Sequence, residues 1–388
     1  MDNKISISEY KERIKKIQNT LNQRNIDVLV VFGTDCEPQN LIYLSNYWPQ
    51  FETAAVIVPK DGKPALVIGP ESETFAKEFS TIEKIFRIIE HRESSEPNYP
   101  NENLDTYSEA FDYVLNGSKV KRVGISGISI IALPVYEAIV NSSKSAEIIK
   151  SDDIMINLRM KKSKNEIELM KQSSKITSKA FEAAKNNIKP GMEEVEVAGF
   201  IAAEIFKNKA ENFTFAPYVL SGHRTNQAIS RSSHKVILEN EPIQLSFGCR
   251  YHNYSSSIGR PLSIGKMPKK YKELVKIGIG VQEKVISSLK PGIEAKEVFS
   301  KYWDFLIDKG YSNYFLYGPC HGTGVMECEH PFLESDSDYI LEEDMTFQVD
   351  IFLGDNEFGL RFEDGALITS KGADVFNNIY REVIEIQH

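Results

Sequence analysis

One histidine and two acids have the types and spacing that chemistry uses. His321 stands in the run HGTG, and Asp350 and Glu363 stand in MTFQVDIFLGDNEFGLRFEDG, each between apolar residues. A carboxylate among apolar strand residues is costly unless it is paired or binds something. A histidine whose pKa is near neutrality can take up and release a proton. We therefore predict that these three side chains line one pocket and act as catalytic residues.

A third acid is expected beside them, from the segment MECEHP that follows the histidine. Glu327 and Glu329 alternate there, so both face one side if the segment is a strand. We predict that Glu329 is the catalytic one. A solvent-facing strand edge is the alternative.

Three further residues are candidates for substrate binding. Arg224 and His223 lie in the polar loop SGHRTNQAISRSSH, where an arginine could bind a carboxylate through two hydrogen bonds. Trp48 belongs to the aromatic segment SNYWPQFE and could contribute to a cage for a cationic or apolar substrate. Packing between domains is the alternative for Trp48, and simple surface exposure is the alternative for His223.

The elements before residue 153 predict an α/β domain. An amphipathic helix over 7–25 precedes a buried strand over 26–33, and a hairpin, a strand and a helix follow. From Arg159 the pattern becomes that of a long helix, with a capping box at Ser163 and Glu166. We expect two domains, 1–153 and 154–388.

The second domain contains an internal repeat. KPGMEEVEVAGFIAAEIF starts at residue 189 and KPGIEAKEVFSKYWDFLI at residue 290, each between a helix and strands. This spacing is too long for a solenoid unit and fits two halves of one α+β domain. In the first half, Ser246 and Ser257 take the positions that Asp350 and Glu363 take in the second.

Composition excludes several classes of protein. The 388 residues carry a net charge of -9, which argues against a nucleic-acid partner. There is no apolar run of about 18 residues and no apolar signal core, so we expect no membrane partner and a cytoplasmic location. The four cysteines form no CxxC pair and do not suggest a disulfide framework.

Five segments, in this order, resemble the pita-bread superfamily, in its creatinase, prolidase and aminopeptidase P branch. They are LRMKKSKNEIELMKQSS, SGHRTNQAISRSSHK, IQLSFGCRYHNYSSSIGR, HGTGVMECEHP and TFQVDIFL with LRFEDGALIT. The resemblance implies an α/β N-terminal domain, a duplicated α+β pita-bread C-terminal domain and a homodimer. It also implies that the N-terminal domain of one subunit borders the active site of the other.

The departures from the family pattern concern its two-metal site. The resemblance places the two metal-binding aspartates of the first half at Ser246 and Ser257, and a family histidine at Ile229. His321 and Glu363 are retained, and Asp350 replaces a glutamate. Because creatinase is a family member with a metal-free site, we expect no cofactor. A single divalent ion on His321, Asp350 and Glu363 is the alternative.

Three functions follow from these expectations. The leading one is a creatinase-like, metal-independent hydrolase of a C–N bond in a small guanidino or amino substrate. There His321 would move the proton, and Glu329, Asp350 and Glu363 would bind substrate. The first alternative is an Xaa-Pro peptidase that uses one metal ion. The second is a homologue that binds a ligand or partner without catalysis.

Overall fold

The structure, a computed structural model, describes residues 4–387 and consists of two units, Ile5–Arg159 and, within the described range, residues 160–387 with Lys4. Within the described range, no helix is long and apolar enough to cross a membrane. Each unit has its own sheet and its own buried core.

The first unit is a six-stranded mixed sheet with helices. In the order of the sheet, the strands are β4 (Ile85–Arg87), β3 (Ala65–Ile68), β2 (Ala54–Pro59), β1 (Val28–Gly33), β5 (Arg122–Ser126) and β6 (Glu147–Lys150). Strand β1 is antiparallel to β2 and parallel to β5. The helices are α1 (Ile7–Arg24), α2 (Gln39–Ser45), α3 (Glu73–Phe79), α4 (Tyr107–Val114), α5 (Leu133–Ser143) and α6 (Asp152–Met160). This confirms the predicted α/β class.

Helix α1 shows why the local sequence folds as it does. The Ser6 side chain accepts a hydrogen bond from the Glu9 backbone N–H, which satisfies one of the free donors at the helix start. Ile17 and Leu21, four residues apart, are buried on one face. The helix ends where Asn25 takes a left-handed conformation, with a φ of 53°.

The second unit contains two helix pairs, as the repeat predicts. They are α7 (Lys164–Asn187) with α8 (Glu194–Lys207), and α9 (Lys269–Ser288) with α10 (Ala295–Lys309). The predicted helix from Arg159 is divided in two, because Ser163 and Glu166 form the expected capping box and begin α7 afresh.

A ten-stranded sheet runs through both halves of this unit. Its main path is β12 (Glu329–Leu333), β11 (Cys320–Gly322), β13 (Thr346–Gly354), β14 (Gly359–Thr369), β10 (Tyr254–Ile264), β9 (Ile243–Tyr251) and β7 (Asn212–Phe213). Strands β8 (Tyr218–Ser221), β15 (Gly372–Val375) and β16 (Ile384–Ile386) pair with β9, β14 and β10. Short 3-10 helices occupy Ile89–His91, Gly222–Asn226 and Ser312–Tyr314.

Each half of the sheet has its own core, formed with its own helix pair. In the second half, Val349 and Ile351 of β13 pack with residues of α9 and α10. In the first half, Leu245 and Phe247 of β9 pack with residues of α7 and α8. Because successive strand residues face opposite sides, the residues between them point to the other face of the sheet. That face carries the candidate site.

Candidate active site

A single row of paired residues crosses the four central strands on this face. Asp350 of β13 pairs with Glu363 of β14, Glu363 pairs with Gly259 of β10, and Gly259 pairs with Ser246 of β9. A Cβ atom on Gly259 would lie 3.0 Å from the Cβ atom of Glu363. Glycine therefore leaves room for the acid in the middle of the row. The structure thus brings Asp350 and Glu363 together.

His321 joins this face from β11. It pairs with Gln348 of β13, two residues before Asp350 and on the same side of the strand. Its side chain meets Glu327, with His321 Nε2 and Glu327 Oε1 3.3 Å apart. Possible ligand atoms of His321, Glu327 and Glu363 all lie within 4.8 Å of one another. We call these three residues the donor group.

The carboxyl groups of the two glutamates of the donor group lie close together. Burial raises the pKa of Glu363 well above its ordinary range, and repulsion from Glu327 and Asp350 raises it further. Burial also raises the pKa of Glu327. Two carboxyl groups this close share a proton, because both cannot ionise without compensation. A cation between them would provide that compensation.

His321 is buried and its pKa responds to two opposed effects. Burial by itself lowers this pKa, because it disfavours the charged ring. A hydrogen bond to Cys328 and the negative charge of nearby acids outweigh burial and raise the pKa of His321 to about 9. The ring nitrogen Nδ1 lies 3.1 Å from the Gly322 carbonyl oxygen, which fixes the orientation of the ring.

Asp350 has a hydrogen bond on one oxygen and, on the other, an ion-pair contact that lacks hydrogen-bond geometry. Its Oδ1 lies 3.1 Å from Arg361 Nε, and its Oδ2 accepts a hydrogen bond of 2.7 Å from the Tyr317 hydroxyl. Arg361 also donates to the Tyr317 hydroxyl and to the Ala228 carbonyl. The negative charge of Asp350 is therefore balanced by the guanidinium of Arg361.

The two serines form hydrogen bonds with neighbouring side chains. Ser257 donates to Glu363 Oε1 and accepts from the Gln348 amide. Ser246 accepts a hydrogen bond of 3.0 Å from Gln244 Nε2. In addition, Gln348 Oε1 is buried without a hydrogen-bond partner among residues 4–387.

Glu329 lies in a different environment from Glu327. Its Oε1 is 3.1 Å from Lys162 Nζ, and these two side chains are only 2% and 1% exposed. A Cβ atom on residue 324 would lie 2.7 Å from Glu329 Oε1, so Gly324 makes room for the pair. Strand β12 begins only at Glu329, so strand alternation does not extend to Glu327. The acid that meets His321 is Glu327.

The predicted substrate-binding residues lie outside the donor group. Arg224 Nε is 3.1 Å from Glu194 Oε2, and its Nη2 donates to the Arg231 carbonyl, so its guanidinium is occupied. His223 is exposed in the same short helix. Ile229 is 87% exposed. Trp48 belongs to the first unit, where its indole N–H donates to the Asp35 carbonyl over 2.9 Å.

The donor group suits one divalent metal ion. It offers one imidazole nitrogen and two carboxylates, and three protein ligands with an open position are typical of catalytic zinc sites. Carboxylates and imidazole also suit manganese. The mutual repulsion of the glutamates agrees with a cation at this place.

Sequence reasoning considered Glu327 but preferred Glu329, and it did not select Tyr317, Arg361 or Lys162 as residues of the site and its surroundings. For Arg361 a signal existed, because it stands two residues before Glu363 on a strand and therefore faces the same side. For Lys162 there was none, because 167 residues separate it from Glu329 along the chain.

Comparison with known proteins agrees with this geometry. The family described as Metallopeptidase family M24 matches residues 168–370, just over half of the chain. The family described as Creatinase/Prolidase N-terminal domain matches residues 13–161. An Xaa-Pro dipeptidase from Pyrococcus furiosus is 28% identical over 376 residues, which cover 96% of this chain and all of the relative.

Solved structures give the same result for the fold. A prolidase from Pyrococcus horikoshii matches with a TM-score of 0.83 and 26% identity, over 96% of this chain and 100% of that one. An X-Pro aminopeptidase from Thermotoga maritima matches with a TM-score of 0.83 and 23% identity, over 96% of this chain and 99% of that one. The predicted fold, an α/β domain before a pita-bread domain, is confirmed.

These findings correct the expectation that the protein uses no cofactor. That expectation was wrong, because the matching family is one of metallopeptidases and the structure gathers three metal donors. The expectation of a metal-free site considered only the ligand positions of the family pattern and did not include Glu327 as a ligand. The relatives also favour the Xaa-Pro peptidase alternative over the creatinase-like hydrolase. By its match over residues 168–370, the chain belongs to metallopeptidase family M24.

Proposed function

We propose that the protein is a metal-dependent peptidase that cleaves small peptides before proline, with Xaa-Pro dipeptides as its first substrate class. The observation that carries this proposal is the donor group of His321, Glu327 and Glu363 within an M24 fold. The names of the similar proteins, Xaa-Pro dipeptidase and prolidase, supply the substrate class.

In this proposal the donor group would hold the ion and other residues would keep it in place. A bound divalent ion polarises a carbonyl group and lowers the pKa of bound water. Glu327 lies in the bend between His321 and Glu329. The Met326 N–H lies 3.4 Å from Glu329 Oε2, and Lys162 holds Glu329. This anchor fixes the bend that presents Glu327 to His321.

Release of free proline from Xaa-Pro dipeptides tests the proposal. The protein is treated with chelator, reloaded with Mn²⁺ or Zn²⁺, and offered Ala-Pro and Leu-Pro, with Ala-Ala as the control for substrate class. We expect cleavage of the proline dipeptides that depends on metal and is lost in His321→Ala. The absence of proline release with either metal would contradict the proposal.

A second candidate is a protein that binds a small peptide without cleaving it. The favouring observations are the neutral hydroxyls of Ser246 and Ser257 and the pairing of Asp350 with Arg361. An Xaa-Pro dipeptide would then raise the melting temperature of the metal-loaded protein and be recovered intact. Metal-dependent cleavage of the dipeptide would exclude this candidate.

We also propose that the protein is a homodimer, on the strength of the family resemblance. Light scattering coupled to size exclusion would then give twice the chain mass of 44.0 kDa. A species of single-chain mass at micromolar concentration would contradict a stable dimer.

A further inference from the structure

We propose that the site binds one divalent ion per chain through His321, Glu327 and Glu363, and that Asp350 is not a ligand. This inference deepens the proposed function by defining the metal centre on which that function would depend. It is tested by metal binding and not by turnover, so each of the two proposals can fail alone.

The ligand set follows from which side chains are able to meet at one point. The three donor atoms lie within 4.8 Å of one another, so a single ion placed among them contacts all three after small side-chain movements. Glu327 is the most exposed of them, with 16% of its side chain accessible, against 10% for His321. It can therefore move onto an ion at little cost in packing.

Asp350 is withheld from this ion by its neighbours. Its Oδ1 forms an ion pair with Arg361, and its Oδ2 accepts a hydrogen bond from the Tyr317 hydroxyl. To become a ligand through Oδ1, Asp350 would have to move this oxygen away from Arg361, and the largely buried Arg361 would lose its counter-charge. An uncompensated buried charge is strongly destabilising. Glu327 supplies the carboxylate that Asp350 does not.

The local charge balances with one ion and not with two. With one divalent ion bound, Glu327 and Glu363 neutralise the metal, while Arg361 neutralises Asp350. A second divalent ion would bring two more positive charges with no carboxylate left to meet them. Uncompensated charge in a buried site is costly.

The first half of the sheet offers no replacement for the missing charge. On the central row and beside it, this half has Gly259 and two serines, Ser246 and Ser257, whose hydroxyls are neutral. Ser257 faces the amide of Gln348 and Ser246 faces the amide of Gln244, and both amides present their N–H donors there. Amide donors repel a cation. The place of a second ion is thus occupied by a neutral hydrogen-bond network.

Metal titration tests this inference with the full-length protein. Chelator-treated protein is titrated with Mn²⁺ and with Zn²⁺ by calorimetry, and the ions retained after desalting are counted by mass spectrometry. The Co²⁺-loaded protein is examined by visible absorption, which reports the ligand field. We expect one ion per chain for each metal.

Two variants distinguish a proposed metal ligand from a nearby residue that is proposed not to bind the ion. Glu327→Gln removes a ligand and should weaken metal binding by more than about 100-fold, since even loss of a residue that only orients ligands costs 10–100-fold. Asp350→Asn keeps the size of the side chain and should leave the ion count at one and the Co²⁺ spectrum unchanged. Circular dichroism confirms that each variant is folded.

Several outcomes would overturn the inference. These are two ions per chain, no binding of either metal, or a larger loss of affinity in Asp350→Asn than in Glu327→Gln. One bound ion without cleavage of Xaa-Pro dipeptides would support the metal centre and reject the proposed function. Cleavage of Xaa-Pro dipeptides by a protein that binds two ions per chain would support the proposed function and reject the inference of a single ion.

Discussion

Lys162 and Glu329 form a buried ion pair that anchors the segment carrying Glu327. The atoms Lys162 Nζ and Glu329 Oε1 lie 3.1 Å apart, and the side chains are 1% and 2% exposed. Substitution Lys162→Met keeps most of the length of the side chain and removes its charge. Removal of one partner from such a pair leaves an unpaired buried charge, which costs about 3–5 kcal/mol.

Arg250, another cationic side chain near Glu329, affects where in the range of about 3–5 kcal/mol the loss of stability should fall. Arg250 is itself nearly buried, and Glu329 attracts it electrostatically. After Lys162→Met, Arg250 remains as a partial counter-charge for Glu329. We therefore expect the free energy of unfolding of the second unit to fall by about 3 kcal/mol, near the lower end of the range.

Urea unfolding followed by tryptophan fluorescence measures this loss. The chain has two tryptophans, so a Trp48→Phe background leaves Trp303 as a reporter of the second unit. Lys161→Met is the matched control, because Lys161 pairs with Glu342 at the surface and these side chains are 51% and 53% exposed. The control should lose less than about 1 kcal/mol.

The double variant Lys162→Met with Glu329→Gln completes the test. Glutamine carries no charge, so the second substitution should restore most of the stability that the first removes. The reasoning would be refuted if Lys162→Met cost no more than Lys161→Met. It would equally be refuted if the second substitution increased the loss.

Three further predictions concern pH, helix capping and metal removal. Burial lowers the pKa of His91 to about 3, so the unfolded chain takes up a proton there before the folded chain does. The first unit should therefore lose about 2 kcal/mol of stability as the pH falls from 7 to 5, and His91→Phe should flatten this slope in urea unfolding. Ser163→Ala removes the N-cap of α7 and should cost the second unit about 1 kcal/mol in the same assay. Chelator should lower the melting temperature of protein saturated with metal, since an ion present at 100 times its Kd stabilises the folded state by about 2.7 kcal/mol.

Each of these three has an outcome that would contradict it. The His91 reasoning fails if His91→Phe retains the full pH slope of the unmodified chain in a Trp303→Phe background. The capping argument fails if Ser163→Asp is as unstable as Ser163→Ala, because aspartate also caps helices. The metal prediction fails if chelator leaves the melting temperature unchanged.

The acids of the hairpin were correctly brought together from the sequence alone. Strand alternation and the short turn between β13 and β14 fix Asp350 opposite Glu363, as the register confirms. The repeat likewise placed Ser246 in the same row as these acids. The position opposite Ser246, which the repeat gave to Ser257, is held by Gly259, and Ser257 pairs with Gly248. Such local rules work because strand geometry leaves one arrangement for residues of known spacing.

The choice between Glu327 and Glu329 was beyond these rules. Both acids stand in one short segment, but the strand begins only at Glu329, and the bend before it turns Glu327 toward His321. The register between β11 and β12 is also irregular next to His321. A periodic pattern has no information on where a strand begins within two residues.

The sequence by itself determined the two-unit α/β and pita-bread fold, the duplication and the positions of His321, Asp350 and Glu363. Only the tertiary structure decided which acid has a partner. It paired Asp350 with Arg361 and Glu329 with Lys162, and it left Glu327 beside His321 and Glu363. The physical reason is that a buried charge takes whichever counter-charge the fold brings within reach, and that contact can join residues far apart in the chain.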